Sequence, residues 1–432
     1  MCIRDSPYNK PMEKNDVIDY FKEYETLLLD IKDRELNVPL KSEFIISIVG
    51  PRRAGKTYFL LYLSKKIGEN YLYLNFEDSR LAGISHKEIR DIIRVFIELY
   101  GKPPHYLFLD EVQEIDKWER VVRELHDLKK YRIFLTGSSS KLLSREIATQ
   151  LRGRTLSFTL LPLSFREFLR FKNKKIPKYM SRDDEAKVRN FLREYLEFGG
   201  FPDVVKNEQK VKILKEYSDL VLFRDFIERY KIKNIEVARM LHSFMLQNFS
   251  KEISIKKLFD RIKTKSRVAK DTVYNYVTKL EDTLFFFFLK KFSLKAHIRE
   301  TWPKKIYLCD TGLSKTVRFS PDYGRLMENA VFTEFIRKQN ENPLLEIFYF
   351  PFSGGEVDFV VKEGTEIKQL IQVTYASAED EIENREVKSL LKACEKLRCK
   401  DLVVITWDYE DKKIIKEEKI RFIPLWKWIL QL

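Results

Sequence analysis

The 432-residue chain has only four cysteines, Cys2, Cys309, Cys394 and Cys399, and five histidines. None of the cysteines falls in the paired CxxC spacing of a zinc site, and the histidines do not cluster with them. That scarcity excludes a disulfide scaffold and fits a reduced, cytoplasmic setting. Long apolar runs are also missing. The longest, about six residues as at Leu284 to Leu289, are far shorter than the about 20 residues of a membrane span, so neither a membrane segment nor an export signal is expected. Glycine and proline number 14 each, while 44% of residues are hydrophobic and 34% charged, which excludes disordered, collagenous and low-complexity classes. The first six residues, MCIRDS, match nothing downstream in pattern and read as an appended scar.

The length predicts two or three domains with cores of their own. Eighty Lys and Arg against 65 Asp and Glu leave a net charge of +15, a balance that favours polyanionic partners such as nucleic acid.

The most specific pattern begins at residues 44–49, FIISIV, a β-branched run suited to a strand buried on both faces of a parallel sheet. It runs directly into GPRRAGKT. In this segment, Gly50, Pro51, Arg52, Arg53, Ala54, Gly55, Lys56 and Thr57, the glycines let main-chain amides turn inward around a phosphate, and the helix that follows points its positive end at the same anion. Lys56 is expected to reach the β- and γ-phosphates and the Thr57 hydroxyl to ligate Mg²⁺. A second apolar strand, YLFLDE, ends in Asp110 and Glu111, where open α/β sheets bind their ligands. Asp110 is assigned to the metal through water and Glu111 to polarising the attacking water.

A third strand, RIFLTG, ends in Thr136, Ser138, Ser139 and Ser140, polar groups placed to report the γ-phosphate or hold the attacking water, the alternative being that the serines cap the helix that follows. Arg152 and Arg154 precede a further strand. Arg154 is the favoured candidate to neutralise transition-state charge, within the chain or from a neighbouring subunit, the alternative being a solvated face.

Taken in order, GPRRAGKT, YLFLDEVQEIDKW, IFLTGSSSKLL, LRGRTLSFTLLPLSFREF and YLEFGGFP resemble the prokaryotic AAA+ ATPases of the archaeal-type ATPase family. The resemblance implies ATP binding and hydrolysis by an oligomerising α/β core, followed by a winged helix and a carboxy-terminal domain of restriction-endonuclease-like fold. The expected class is α/β, a P-loop parallel sheet of AAA+ type. Its segments are an amino-terminal helical stretch 1–40, the ATPase core 41–171, a helical lid or connector 172–250, a winged helix-turn-helix 251–305 and a nuclease-like domain 306–432.

Residues 251–305 carry 15 Lys and Arg against 6 acids, 15 − 6 = +9 of the chain's +15. Helix, turn and helix (ISIKKLFDRI, TKSR, VAKDTVYNYVTKLEDT) followed by FFFFLKKFS read as the winged pattern, with Arg267, Lys270, Asn275 and Lys279 as candidate contacts to phosphates or base edges. The alternative is a module that serves only packing or protein contact.

The final hundred residues resemble the core of the PD-(D/E)xK nucleases, in which clustered carboxylates and a cation manage phosphodiester hydrolysis. Glu328 and Asp358 match the helix and strand acids, but Gln372 and Thr374 stand where the Glu-x-Lys pair belongs. A catalytically degenerate site is therefore expected, and Lys388 on the next helix is not counted as a replacement lysine. The leading expectation is an ATPase using Mg²⁺, coupled to DNA or to a protein partner by its carboxy-terminal half. The alternatives are a nucleotide-gated regulatory or defence switch and an ATP-dependent nuclease.

Overall fold

In the computed structural model the described residues are 14–26, 31–68, 70–81, 83–137, 149–177, 179–264, 266–318, 320–382 and 384–431. They divide into two compact units, Met1–Leu160 and Leu161–Leu432. The first ends just before the PLSFREF segment, earlier than the residue-171 boundary expected from the sequence.

Unit 1 opens with helix α1 (Lys14–Thr26), followed by β1 (Ile45–Val49), α2 (Lys56–Ile67), β2 (Tyr71–Asn75), α3 (Glu88–Tyr100), β3 (Tyr106–Asp110), α4 (Trp118–Asp127), β4 (Arg132–Thr136) and β5 (Thr155–Thr159). The five strands form one parallel sheet in the order β2-β3-β4-β1-β5. Every residue of β1 is buried, as its β-branched composition requires of a strand covered on both faces. Phe108 on β3 stacks on Phe134 of β4 with ring centroids 5.0 Å apart, so the sheet interior is sealed by aromatic area as well as aliphatic packing. Because all strands run the same way, their carboxyl ends lie along one edge. The registers Ile48 with Thr136 and Leu109 with Leu135 set the ends of β1, β4 and β3 side by side.

Unit 2 begins with α5 (Phe165–Phe171) and α6 (Arg182–Phe198), each opened by a capping box, Ser164 with Glu167 and Ser181 with Asp184. Then come α7 (Pro202–Lys206), α8 (Lys210–Leu220) running on as a π-helix (Val221–Glu228), α9 (Ile235–Gln247), β6 (Lys251–Ile253), α10 (Ile255–Lys263), α11 (Lys270–Glu281), β7 (Phe286–Leu289), α12 (Ala296–Thr301) and β8 (Lys304–Leu308). A 3₁₀ turn (Thr311–Thr316) leads to α13 (Tyr323–Glu341), β9 (Leu345–Phe352), β10 (Gly355–Glu363), β11 (Glu366–Val373), α14 (Asn384–Leu397), β12 (Leu402–Thr406), β13 (Asp411–Ile415), β14 (Glu418–Pro424) and α15 (Leu425–Leu430). Strands β6-β8-β7 make a small antiparallel sheet, and β13-β14-β12-β11-β10-β9 make a mixed one.

The segments expected to be a lid, a helix-turn-helix module and a carboxy-terminal domain share one hydrophobic cluster, which runs from Leu161 through Leu241, Val273 and Phe286 to Phe359 and Leu430. One polar clasp explains the Gly199–Gly200 pair. The Asp310 carboxylate, just after β8, accepts the amides of Gly200 (2.6 Å) and Gly312 (2.9 Å). A Cβ on Gly199 would come within 1.6 Å of the Asp310 Oδ1 atom, and Gly199 also sits at φ +76, so no side chain is tolerated there.

His242 on α9 is buried against Phe285 and Phe286, with no hydrogen-bond partner for its Nε2 atom. Desolvation pushes its imidazole down from the usual 6.5 to about 4. The neutral form is favoured by folding, so this stability is complete above about pH 6.5 and is lost as pH falls towards 4, an effect of about 3 kcal/mol. Chemical unfolding at stepped pH is expected to show that loss in the wild type relative to His242→Leu, and parallel pH profiles would refute it.

Candidate active site

The turn between β1 and α2 is forced by close backbone approach. A Cβ on Gly50 would lie 2.1 Å from the Leu160 carbonyl oxygen, which follows β5 and is itself tied down by the Leu160 amide donating to the Val49 carbonyl at 2.8 Å. Arg53 (φ 67) and Gly55 (φ 94) take left-handed conformations that curl the chain into the start of α2. Pro51 and Ala54 are buried, Arg52 is half-buried and Arg53 is exposed. The Lys56 ammonium is buried in the curl, 3.2 Å from both the Gly50 and the Pro51 carbonyl oxygens. From outside the motif, Arg34 donates to the Ala54 carbonyl at 3.0 Å and braces the loop from behind.

Strand β4 separates β1 from β3, so the end of β4 mediates between loop and acids. Fully buried Asp110 accepts a hydrogen bond from the Tyr73 hydroxyl of β2 at 2.7 Å and another from the Thr136 hydroxyl of β4. Thr57, the residue after Lys56, is also hydrogen-bonded to it. Burial, and secondarily the charge of Glu111, push the Asp110 carboxyl above its ordinary range, while these three hydroxyls favour the charged form. Glu111 sits in the left-handed region (φ 53, ψ 47), which turns the chain sharply off the strand. Its amide donates to Thr136 Oγ1 at 3.1 Å, and its carboxylate accepts the Gln113 side-chain amide. Glu77, on the turn after β2, is within electrostatic reach of both Glu111 and Arg52.

Loop, Lys56, Thr57, Asp110 and Glu111 thus converge on one sheet edge. Arg154 does not join them. It immediately precedes β5, whose first residue pairs with Ile45 at the start of β1, so it lies at the opposite edge, one strand length of about 16 Å away. There its guanidinium pairs with Asp127 at the end of α4, at 3.0 Å. The role within its own chain is excluded by that position. Ser138 lies outside the described residues. Tyr73 and Arg34 escaped sequence reasoning because the first is brought in by strand order and the second by a distant segment. Thr136 is among the strand-end polar groups that the sequence offers for the γ-phosphate or the attacking water; its hydroxyl donates to Asp110.

Unit 2 holds a second charge cluster. Lys305 of β8, only 2% exposed at its side chain, places its ammonium 3.0 Å from Glu328 Oε1, 3.0 Å from Asp358 Oδ1 and 2.8 Å from Glu356 Oε1. Tyr307 donates to Glu328 at 2.6 Å, and the Val373 amide donates to Asp358 at 3.0 Å. The three carboxylates hold the Lys305 charge on and raise its pKa well above the ordinary range, although burial alone would lower it. Glu328 and Asp358, which the sequence pattern pairs, both face Lys305, which comes from a strand of a different sheet. Lys388 is exposed on α14. Gln372 and Thr374 are buried on and just after β11, and the Gln372 side-chain oxygen has no hydrogen-bond partner.

The sheet order and the glycine-framed loop give unit 1 the P-loop parallel-sheet fold of AAA type. A family model described as an AAA domain matches residues 42–169, and two models described as domains of unknown function (DUF8612 and DUF4143) match 189–322 and 323–428. The chain is 38% identical over 412 residues to the uncharacterized protein MJ1544 of Methanocaldococcus jannaschii, covering 92% of this chain and 91% of that one, and it belongs to the same family. An uncharacterized protein of Haemophilus influenzae is 27% identical over 405 residues, covering 90% and 95% respectively. Among solved structures, the Walker-type ATPase PABY2304 of Pyrococcus abyssi aligns with a TM-score of 0.41 at 11% identity, over 72% of this chain and 96% of that one. No helix among the described residues is long and apolar enough to cross a membrane.

Removing one partner of a buried charge cluster leaves the others uncompensated. Lys305→Met is therefore expected to destabilise the protein by about 3–5 kcal/mol. Adding Glu328→Gln and Asp358→Asn to the same chain should recover most of that loss in denaturant unfolding; a triple variant as weak as the single one would show that the cluster is not bound together by charge.

Proposed function

We propose that the chain binds and hydrolyses ATP with Mg²⁺ at the edge formed by β1, β4 and β3, and couples this to DNA binding by its carboxy-terminal half. The observation that carries the first part is the Asp110 carboxylate held jointly by Thr57, Thr136 and Tyr73, because it ties the phosphate-loop helix to the acid strand. The donor set suits a hard divalent cation: a hydroxyl at Thr57 and a buried carboxylate at Asp110, with Glu111 next to it. Among the described residues no cluster of three His, Cys, Asp or Glu could hold a metal by itself, and Mg²⁺ needs no such cage, since it keeps waters and phosphate oxygens as ligands. When bound, the ion would neutralise charge across the β- and γ-phosphates.

The chain's own groups divide the remaining work. The amides of the Gly50–Gly55 curl and the amino end of α2 bind phosphate oxygens. Lys56 exchanges the Gly50 and Pro51 carbonyls for the phosphates. Glu111, oriented through its amide by Thr136 and through its carboxylate by Gln113, accepts a proton from the attacking water. Arg154, on the far sheet edge, serves a neighbouring subunit of a homo-oligomer in this reading.

In unit 2, the succession α9-β6-α10-α11-β7-α12-β8 with sheet order β6-β8-β7 supports a winged-helix reading, and the +9 charge of 251–305 supports a nucleic-acid partner. The mixed sheet is read as a nuclease-like domain that does not cleave, because Lys305 occupies the centre of its carboxylates.

Glu111→Gln is expected to retain nucleotide affinity while phosphate release falls a hundredfold or more, and Lys56→Ala to lose affinity itself. Titration with a fluorescent ATP analogue and steady-state phosphate release read the two effects separately. Undiminished turnover in Glu111→Gln would overturn the assignment of the base.

A further inference from the structure

Beside α11, the structure contains an open cavity of about 450 Å³. Its walls come from three places. Lys231 and Lys233 stand on the loop after the π-helix, Arg267 on the turn before α11, and Thr272, Asn275 and Lys279 on α11 itself. Among its described lining residues there is no carboxylate. Lys231, Lys233 and Arg267 are exposed at its rim, and Lys279 is half-buried with its ammonium 5.0 Å from the centre of the Tyr230 ring.

The cavity is held open by a polar frame. Asn234 caps α9 by accepting from the Val237 amide at 3.0 Å, and its side-chain amide reaches Ser266 Oγ at 3.3 Å. Its backbone amide donates to the Tyr276 hydroxyl at 3.4 Å, and Tyr230 donates to Asp282 at 3.0 Å. The loop carrying Lys231 and Lys233 is thereby fixed to α11 before any ligand arrives. The amino end of α11 opens on this wall behind Ala269, which supplies no side-chain cap, and the exposed Asp271 in the same first turn offsets part of the positive potential of its amides.

We propose that this cavity is the phosphate-docking site for duplex DNA, with Lys231, Lys233, Arg267 and Lys279 neutralising backbone phosphates and Asn275 and Thr272 donating hydrogen bonds to them. The inference rests on the DNA-binding reading above and gives it a location. Two observations favour a repeating polyanion over a single small anion. The cations come from separate elements spread around an open cavity, and the exposed face of α11 continues the same surface with Lys270 and the 40% exposed Tyr274. Of the residues the sequence pattern singled out, Arg267, Asn275 and Lys279 line the cavity and Lys270 does not. Lys231 and Lys233 come from a stretch that had been assigned to the connector.

The test is fluorescence anisotropy with a labelled duplex of mixed sequence, titrated at several salt concentrations. It compares the full-length wild type, the variant Lys231→Gln/Lys233→Gln/Arg267→Gln, and a charge-matched control, Lys400→Gln/Lys412→Gln/Lys419→Gln, at exposed sites around the mixed sheet. Thermal unfolding midpoints verify that all three are folded. The wild type is expected to lose affinity steeply with salt. In the cavity variant the slope of log affinity against log salt should fall by about 0.9 per lost phosphate contact, with affinity at least roughly tenfold weaker at fixed salt, while the control stays near wild type. Equal losses in variant and control, or no loss in the variant, would overturn the cavity assignment and leave the DNA-binding reading standing. A wild type that does not bind the duplex at low salt would overturn both.

Discussion

A single buried carboxylate organises the nucleotide edge of unit 1. Asp110 can remain in a site without solvent only because hydroxyls from three elements converge on it, Tyr73 from β2, Thr136 from β4 and Thr57 from α2. That convergence requires β4 to lie between the loop strand and the acid strand, and it requires the parallel registers that bring their ends level. Each hydroxyl offsets part of the desolvation cost of the negative charge. The arrangement of the sheet and the chemistry at its edge are thus two aspects of one electrostatic requirement.

The loop on the other side of β4 is shaped by sterics instead. Gly50 is pressed against the Leu160 carbonyl, and Arg53 and Gly55 carry positive φ, so the curl is set by backbone contact and does not depend on an anion to form it. Lys56 meanwhile satisfies two loop carbonyls, which keeps a buried ammonium paired until a stronger acceptor replaces them. In the proposed reading, a loop already curled and a cation held only by loop carbonyls suit the binding and release of a polyphosphate.

What the sequence reveals, and what it conceals, follows from the range of the interactions. Strand, glycine loop and helix around Lys56 are contiguous, and so is the apolar run ending in Asp110 and Glu111; hydrophobic periodicity and backbone sterics are local, so these elements stand where the pattern puts them. Thr136 is visible as the polar end of its strand, whereas Tyr73 and Arg34 become site residues only through strand order and through a segment that folds back on the loop, which no local pattern encodes. The same holds for Lys305. Glu328 and Asp358 are visible as members of a spaced motif, but the cation between them belongs to a strand of another sheet. For Arg154 the sequence leaves a role within its own chain, a role in a neighbouring subunit and a solvated face all open; the parallel direction of β5, which carries it to the other edge, decides only against the first.

Strand β8 belongs to two neighbourhoods at once. It pairs with β6 and β7, yet Lys305 is locked among carboxylates of α13 and β10, and the Asn329 side chain grips the Leu308 backbone at both its amide and its carbonyl (2.8 and 3.0 Å). Two residues beyond, Asp310 accepts the amide of Gly200, just past the end of α6. Among the described residues these contacts join the small sheet, the mixed sheet and the helices before them into one compact unit. A load on the basic surface beside α11 would therefore be passed along β8 to the charge cluster around Lys305.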